Sequence, residues 1–147
     1  MKDPGKWAMS GFNFRFNDIL ASIGIEQLKR LPTRVNHLRD LYITYEQGLR
    51  DSLFKIIPVD LDAGEVPVYN EFLVENREIW TEKLADSGVE TRPFYPAINS
   101  AHYLQQTKER YINSEFFSNN GIYLPSGPGQ KISSIKESIK TIQNIIL

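Results

Sequence analysis

The 147-residue sequence predicts a small α/β domain in which a mostly antiparallel sheet packs against long helices. Two stretches carry that reading. Val35, Leu38, Tyr42, Tyr45 and Leu49 fall at 3-4-3-4 spacing, and Ile132, Ile135, Ile139, Ile142 and Ile146 repeat the pattern. Each describes a helix with one apolar stripe. Between them lie short runs bounded by Pro, Gly and Asn, too short for helices and rich in aromatic and β-branched residues: Phe54–Pro58, Val68–Val74, Val89–Arg92 and Ile122–Pro125.

Taken in order, residues 1–10 carry Pro4 and Gly5 without a period and read as a loop. From Gly11 the pattern alternates: Phe12, Phe14 and Phe16 on one side, Asn13, Arg15 and Asn17 on the other, as in an extended segment. The period then changes. Ile19, Leu20, Ile23, Leu28 and Leu31 suit one broad helical face, with Asn17 or Asp18 as the cap. Pro32 is expected to end this helix near Leu31, and Thr33 to cap the next. Gly24 inside it costs about 1 kcal/mol against Ala, a cost accepted where another backbone packs closely. Asn13 and Arg15 place an amide and a guanidinium just before the helix, a pair suited to a phosphate oxygen. The alternative is an edge strand with buried Phe side chains and solvated polar residues.

Past the second helix, strands are expected near 54–57, 68–74 and 89–92, forming one sheet covered by helices at 34–51 and 131–146. Asn76 can cap a helix through Ile79, Trp80 and Leu84, and Gly88 is placed to stop it. Pro93-Phe94-Tyr95-Pro96-Ala97-Ile98-Asn99 is a stiff loop, either a carrier of recognition groups or a packed proline-aromatic corner. A short helical turn is expected around Ala101, Tyr103 and Leu104, and a helix through Phe116 and Phe117 ending at Asn120-Gly121. Ser126-Gly127-Pro128-Gly129 lacks the Lys-Ser/Thr of a phosphate-cradling loop and reads as a connector.

Composition narrows the function classes. Seventeen Lys and Arg against 18 Asp and Glu leave a net charge of -1, so no basic excess points to nucleic acid. No apolar run is long enough to span a bilayer. There is no cysteine, hence no thiolate chemistry and no disulfide framework, and a reducing cytoplasm is the expected compartment. His37 and His102 are the only histidines, which argues against a histidine-rich metal site; no metal ligand is assigned. No Ser/His/Asp or Cys/His pairing is visible, and no catalytic residue is assigned.

Residues 11–28, with Gly11, the aromatic-Asn-aromatic-Arg run and a helix carrying Ala21, Gly24 and Gln27-Leu28, resemble the signature of the DegT-type sugar aminotransferases. Gly88-Val89-Glu90-Thr91-Arg92-Pro93-Phe94-Tyr95-Pro96 and Gly121-Ile122-Tyr123-Leu124-Pro125-Ser126 resemble two later blocks of that family, in order. The resemblance implies a pyridoxal phosphate (PLP) enzyme of the aspartate aminotransferase fold type I, of which this chain is the small C-terminal part. Residues 1–31 are then the lead-in segment and first helix, meeting the missing large domain and a partner subunit. Residues 32–147 are the small α/β domain. The missing N-terminal domain would supply PLP binding, including the Schiff-base lysine, and the parent would be a homodimer.

On that resemblance Asn13 is the cofactor-binding residue, reaching the PLP phosphate of the other subunit. Arg15 and Tyr95 are substrate-binding residues. Asn99 stands where many members have a histidine, so contacts there would differ. The parent reaction would move an amino group from an amino acid, glutamate in the first instance, to a nucleotide-linked keto sugar. The isolated chain is expected to be inert and to hold no PLP. The competing readings are a free-standing non-catalytic module that binds a partner chain, and a small domain that binds sugar nucleotides.

Overall fold

A computed structural model describes residues 16–101 and 110–146. The order is α1 (Asp18–Leu49), β1 (Lys55–Ile56), β2 (Asn70–Leu73), α2 (Arg77–Asp86), β3 (Arg92–Pro93), a 3-10 turn (Ile98–Ser100), α3 (Ile112–Asn120), β4 (Gly121–Leu124) and α4 (Ile132–Ile146). The chain divides into two compact units, residues 1–32 and 33–147. No helix among the described residues is long and apolar enough to cross a membrane.

In the first unit the expected cap is present: the Leu20 amide donates to Asn17 Oδ1 at 2.9 Å. Asn17 thereby satisfies one of the amides left free in a helix's first turn. Ile19, Leu20, Ile23, Leu28 and Leu31 are all exposed, as is Phe16. The helix does not end at Leu31. It passes through Pro32, and Thr33 is a mid-helix residue rather than a cap. Proline removes one amide donor and crowds the preceding turn. Because Leu28 is exposed, water can take the carbonyl that Pro32 leaves without a donor.

The second unit is built on a four-stranded antiparallel sheet, ordered β1-β2-β4-β3. The expected three strands are there, with two changes. The last, β4, lies between β2 and β3, and β3 is Arg92–Pro93 instead of Val89–Arg92. The second change has a local cause. Gly88, at φ +77°, closes α2: its amide bonds Ala85 O at 3.0 Å, and the Val89 amide reaches back to Leu84 O at 2.8 Å. This is a Schellman closure, so Val89 is spent on the helix end, where it packs buried with Leu84. Asn76 precedes α2 in the left-handed region, and its backbone carbonyl rather than its side chain meets the Ile79 amide.

One face of the sheet is core. Phe72 pairs with Ile122, and these pack with Leu124, with Leu38, Leu41, Tyr45 and Leu49 of α1, and with Ile135, Ile139 and Ile142 of α4. Phe72 sits edge-on to Tyr45 and Phe54, at 5.6 and 6.4 Å. An added Cβ at Gly24 would meet Phe16 among the described residues at an ordinary 3.8 Å, whereas at Gly48 it would stand 2.8 Å from Ile139. α4 therefore comes tight against α1 there, and Gln143 Nε2 donates to Gly48 O at 2.8 Å.

Candidate functional site

The face of the sheet opposite the core is polar and aromatic. Glu71 pairs across to Tyr123, and Tyr123 to Arg92, so one row carries an acid, a phenol and a guanidinium. Strand alternation puts all three on the side away from Phe72 and Ile122. Tyr69 adds its ring beside Tyr123, with centroids 5.2 Å apart.

The loop after β3 is held on this row. The Phe94 amide bonds Gly121 O at 3.0 Å, and the Phe94 ring stacks on Tyr123 at 4.5 Å. Gly121 has to be glycine: a Cβ there would lie 2.2 Å from the Phe94 ring and 2.6 Å from Phe117 O. The Ala97 amide donates to Ser118 Oγ at 3.1 Å, and Arg77 Nη1 donates to Ser118 O at 2.5 Å. That guanidinium also neutralises the carbonyl end of α3. The loop thus divides the two expectations between neighbours. Phe94 is a packed corner, while Tyr95 projects at 66% exposure.

Tyr95 is met by Arg92. The guanidinium carbon lies 4.8 Å from the Tyr95 ring centre, and Nη2 donates to the phenol oxygen at 2.5 Å. Both residues line a cavity of about 450 Å³ with Tyr69, Tyr123, Glu90, Ser126, Gln130, Ser134 and Ser138. Its floor is fixed from the core side. His37 Nε2 donates to Gln130 O at 2.7 Å, and Tyr45 Oη donates to Pro125 O at 3.2 Å. His37 therefore has a positioning role in the fold. Burial pushes the Tyr45 phenol up, so it remains a donor at neutral pH. Burial, and after it the nearby Glu71 carboxylate, likewise raises the Tyr123 phenol. Glu71 is raised by desolvation.

A second cavity, of about 540 Å³, is bounded by Leu53, Leu73, Trp80 and Phe116 with Lys55 and Glu75. Its lining includes none of the residues expected from the sequence to bind cofactor or substrate. Among the described residues no group of three His, Cys, Asp or Glu could hold a metal. Nor do the described residues fit the anchoring of PLP. Their lysines are all exposed and none lines the 450 Å³ cavity; Lys29 pairs with Glu26, and Lys83 lies over Trp80. Asn13, Arg15, the extended segment before Phe16, His102, Tyr103 and Leu104 fall outside the described residues. Of the expected site residues the structure therefore places Tyr95 alone.

Arg92, Tyr69, Tyr123 and Glu71 were not singled out in the sequence as site residues. Arg92 was visible as part of a strand and of the second block that resembles the family, with no role assigned to it. Its grouping with Tyr123 and Glu71 depends on β4 inserting between β2 and β3, which no local pattern encodes.

Comparison with known proteins agrees with this architecture. The model of the DegT/DnrJ/EryC1/StrS aminotransferase family matches residues 2–143. The chain is 30% identical over 136 residues to GDP-perosamine synthase of Escherichia coli O157:H7, covering 88% of this chain and 37% of that protein. Among solved structures it resembles the aminotransferase TlmJ from Streptoalloteichus hindustanus, with a TM-score of 0.77 at 25% identity, covering 88% of this chain and 36% of that one. It also resembles a DegT DnrJ EryC1 StrS aminotransferase from Brucella abortus, with a TM-score of 0.78 at 18% identity, covering 97% and 40%. The chain thus spans well under half the length of these relatives. The match runs through both units, from the segment that carries Asn13 and Arg15 to the final helix, and it places the chain in the DegT/DnrJ/EryC1/StrS aminotransferase family, PLP-dependent sugar aminotransferases of fold type I.

Proposed function

We propose that this chain works as the small C-terminal part of a cytoplasmic, homodimeric PLP-dependent aminotransferase. The enzyme passes an amino group from an amino acid, glutamate in the first instance, to a nucleotide-linked keto sugar. The observation that carries this reading is the family match over residues 2–143, taken with the exposed Tyr95 at the mouth of a preformed cavity. PLP, bound by the large domain, would supply the electron sink for amino transfer. This chain's own residues bind and orient. Asn13 holds the cofactor phosphate across the subunit interface, and Arg15 and Tyr95 hold substrate. Residues 1–31 meet the large domain and the partner subunit, and residues 32–147 form the small domain. The exposed apolar face between Ile19 and Leu31 supports an interface there, because a surface of that kind is stabilised by cover. Alone, without a large domain, the chain is inert.

The test uses mixed dimers of the full-length enzyme. One subunit lacks the cofactor lysine and the other carries Asn13→Ala. If both groups serve one site across the interface, each mixed dimer keeps one intact site and one empty of both. Activity should return to about half where each parent variant has little, since loss of a charge-assisted hydrogen bond is worth roughly 1.5–3 kcal/mol. No recovery on mixing would remove the cross-subunit role of Asn13.

A further inference from the structure

The second cavity, of about 540 Å³, is lined from β1, the end of β2, the start of α2 and the last turn of α3. Its wall is apolar and aromatic. Trp80 is fixed there by Phe54, edge-on at 5.3 Å. Leu53 and Phe116 in the same wall are 57% and 49% exposed, apolar surface left to water. The rim holds Glu75 and Asn120, and the backbone keeps them side by side: the Val74 amide donates to Asn120 O at 3.0 Å. Both present unspent acceptors. Glu75 is exposed, and its carboxylate has no partner among the described residues, whose ion pairs join Lys29 to Glu26, Arg77 to Glu78 and Arg110 to Glu115. Asn120 Nδ2 donates to Phe116 O at 2.9 Å, which fixes the orientation of the amide and leaves Oδ1 as its free group. Lys55, the cation in the described lining, spends its ammonium on Ser52 O at 2.7 Å.

We infer that this cavity is a binding site for a small primary amine with an apolar body, its ammonium taken by Glu75 and Asn120 Oδ1 and its body by Trp80, Phe116 and Leu53. An ammonium carries three donors and no acceptor, which matches a rim of free acceptors. Its charge is drawn by the carboxylate and by aromatic faces. Lys83, with Nζ 5.1 Å from the Trp80 ring centre, shows this indole already attracting one ammonium. A carboxylate ligand would face the Glu75 charge and the Asn120 oxygen and could bond to neither. Lys55 and Lys83 carry the ligand's own sign, so removing Lys55 should strengthen binding. A cavity of this size, with apolar walls and a few polar groups on secondary structure, suits a small ligand. The site goes beyond the amino-transfer reading, which assigns a role to none of its residues, so the two stand or fall separately.

The experiment follows backbone amide resonances of the 147-residue chain titrated with three probes of one shape and different charge: 2-phenylethylamine, 2-phenylethanol and 3-phenylpropionate. Saturable shifts at residues 73–80 and 116–120 are expected with the amine, with weaker binding of the alcohol and none of the carboxylate. Glu75→Gln should weaken the amine about threefold, the scale of an exposed ion pair, and leave the alcohol unchanged. Lys55→Gln should tighten the amine about twofold for the same reason. Phe116→Ala should weaken amine and alcohol alike, since it removes wall and not charge. Preserved dispersion elsewhere in the spectrum shows that each variant is folded. The inference is overturned if the amine does not saturate, if its shifts fall at residues 88–95 and 126–134 instead, if the alcohol or the carboxylate binds as tightly, or if Glu75→Gln keeps the full preference for the amine. The mixed-dimer assay can fail while this titration succeeds, and the reverse.

Discussion

Along the single helix α1, residues 19–31 carry six large apolar side chains and residues 35–49 carry seven. Their fates differ. Leu38, Leu41, Tyr42, Tyr45 and Leu49 are buried, and Leu41 and Tyr45 have no exposure at all. Ile19, Leu20, Ile23, Ile25, Leu28 and Leu31 all remain half or more exposed, apart from Leu20 at 48%. The later stripe is covered by β2, β4 and α4 of its own unit. No described residue buries the earlier one. An amphipathic pattern states that a face is suited to cover and is silent about whose surface provides it.

The largest way to break the comparison is to truncate the buried half. Leu41→Ala removes a fully buried side chain between sheet and helix. It should destabilise the chain by about 2–5 kcal/mol, the range for cavities of this kind. Urea unfolding measures it. A change as small as that of a surface substitution would mean that residues 35–49 do not hold the core.

Between the halves stands Pro32. If α1 is continuous, Pro32→Ala should restore the missing amide donor to the turn and remove a break costing about 3 kcal/mol. Helical ellipticity should rise, and amide exchange should slow around residues 28–36. Unchanged exchange there would show that the helix is interrupted at Pro32 and that the two halves are separate elements.

What was legible in the sequence follows range of interaction. Asn17 capping, the Gly88 stop and the stripe of α4 are decided within a few residues, and all three are present. Continuity of α1 was not legible, because the local penalty of Pro32 makes two helices, one ending at Leu31 and one capped by Thr33, the expected reading of a stretch that is helical on both sides. The central position of β4 was not legible either. Strand order is set by which edges meet in space, and Ile122-Tyr123-Leu124 looks the same at an edge or in the middle. The site shows the same division. Tyr95 was found through its proline-bounded loop and the family resemblance. Arg92 acquires its meaning from Tyr95, three residues on, and from Tyr123, which reaches it through the sheet. Asn13 and Arg15 lie outside the described residues, so their roles rest on the resemblance alone.

The smallest effect on stability is expected in the exposed half, and that is what makes it informative. Leu20→Gln with Ile23→Gln replaces two apolar residues on one side of the helix by residues of comparable helix propensity. Both positions are about half exposed. The unfolding free energy of the chain, read from urea titration, should therefore change by no more than about 0.5 kcal/mol, as for surface positions generally. Association should respond differently. An apolar stripe of this length tends to pair with another apolar surface, and in the isolated chain a second copy is the one at hand. Sedimentation at micromolar concentration should show self-association of the parent chain and a shift toward monomer in the double variant. If the chain is part of a longer dimeric enzyme, as proposed, the same pair should weaken the dimer or loosen the large domain without touching the core. If the double variant lowers the urea midpoint as much as Leu41→Ala does, then residues 19–31 are part of this chain's own core, and the contrast between the halves of α1 is void.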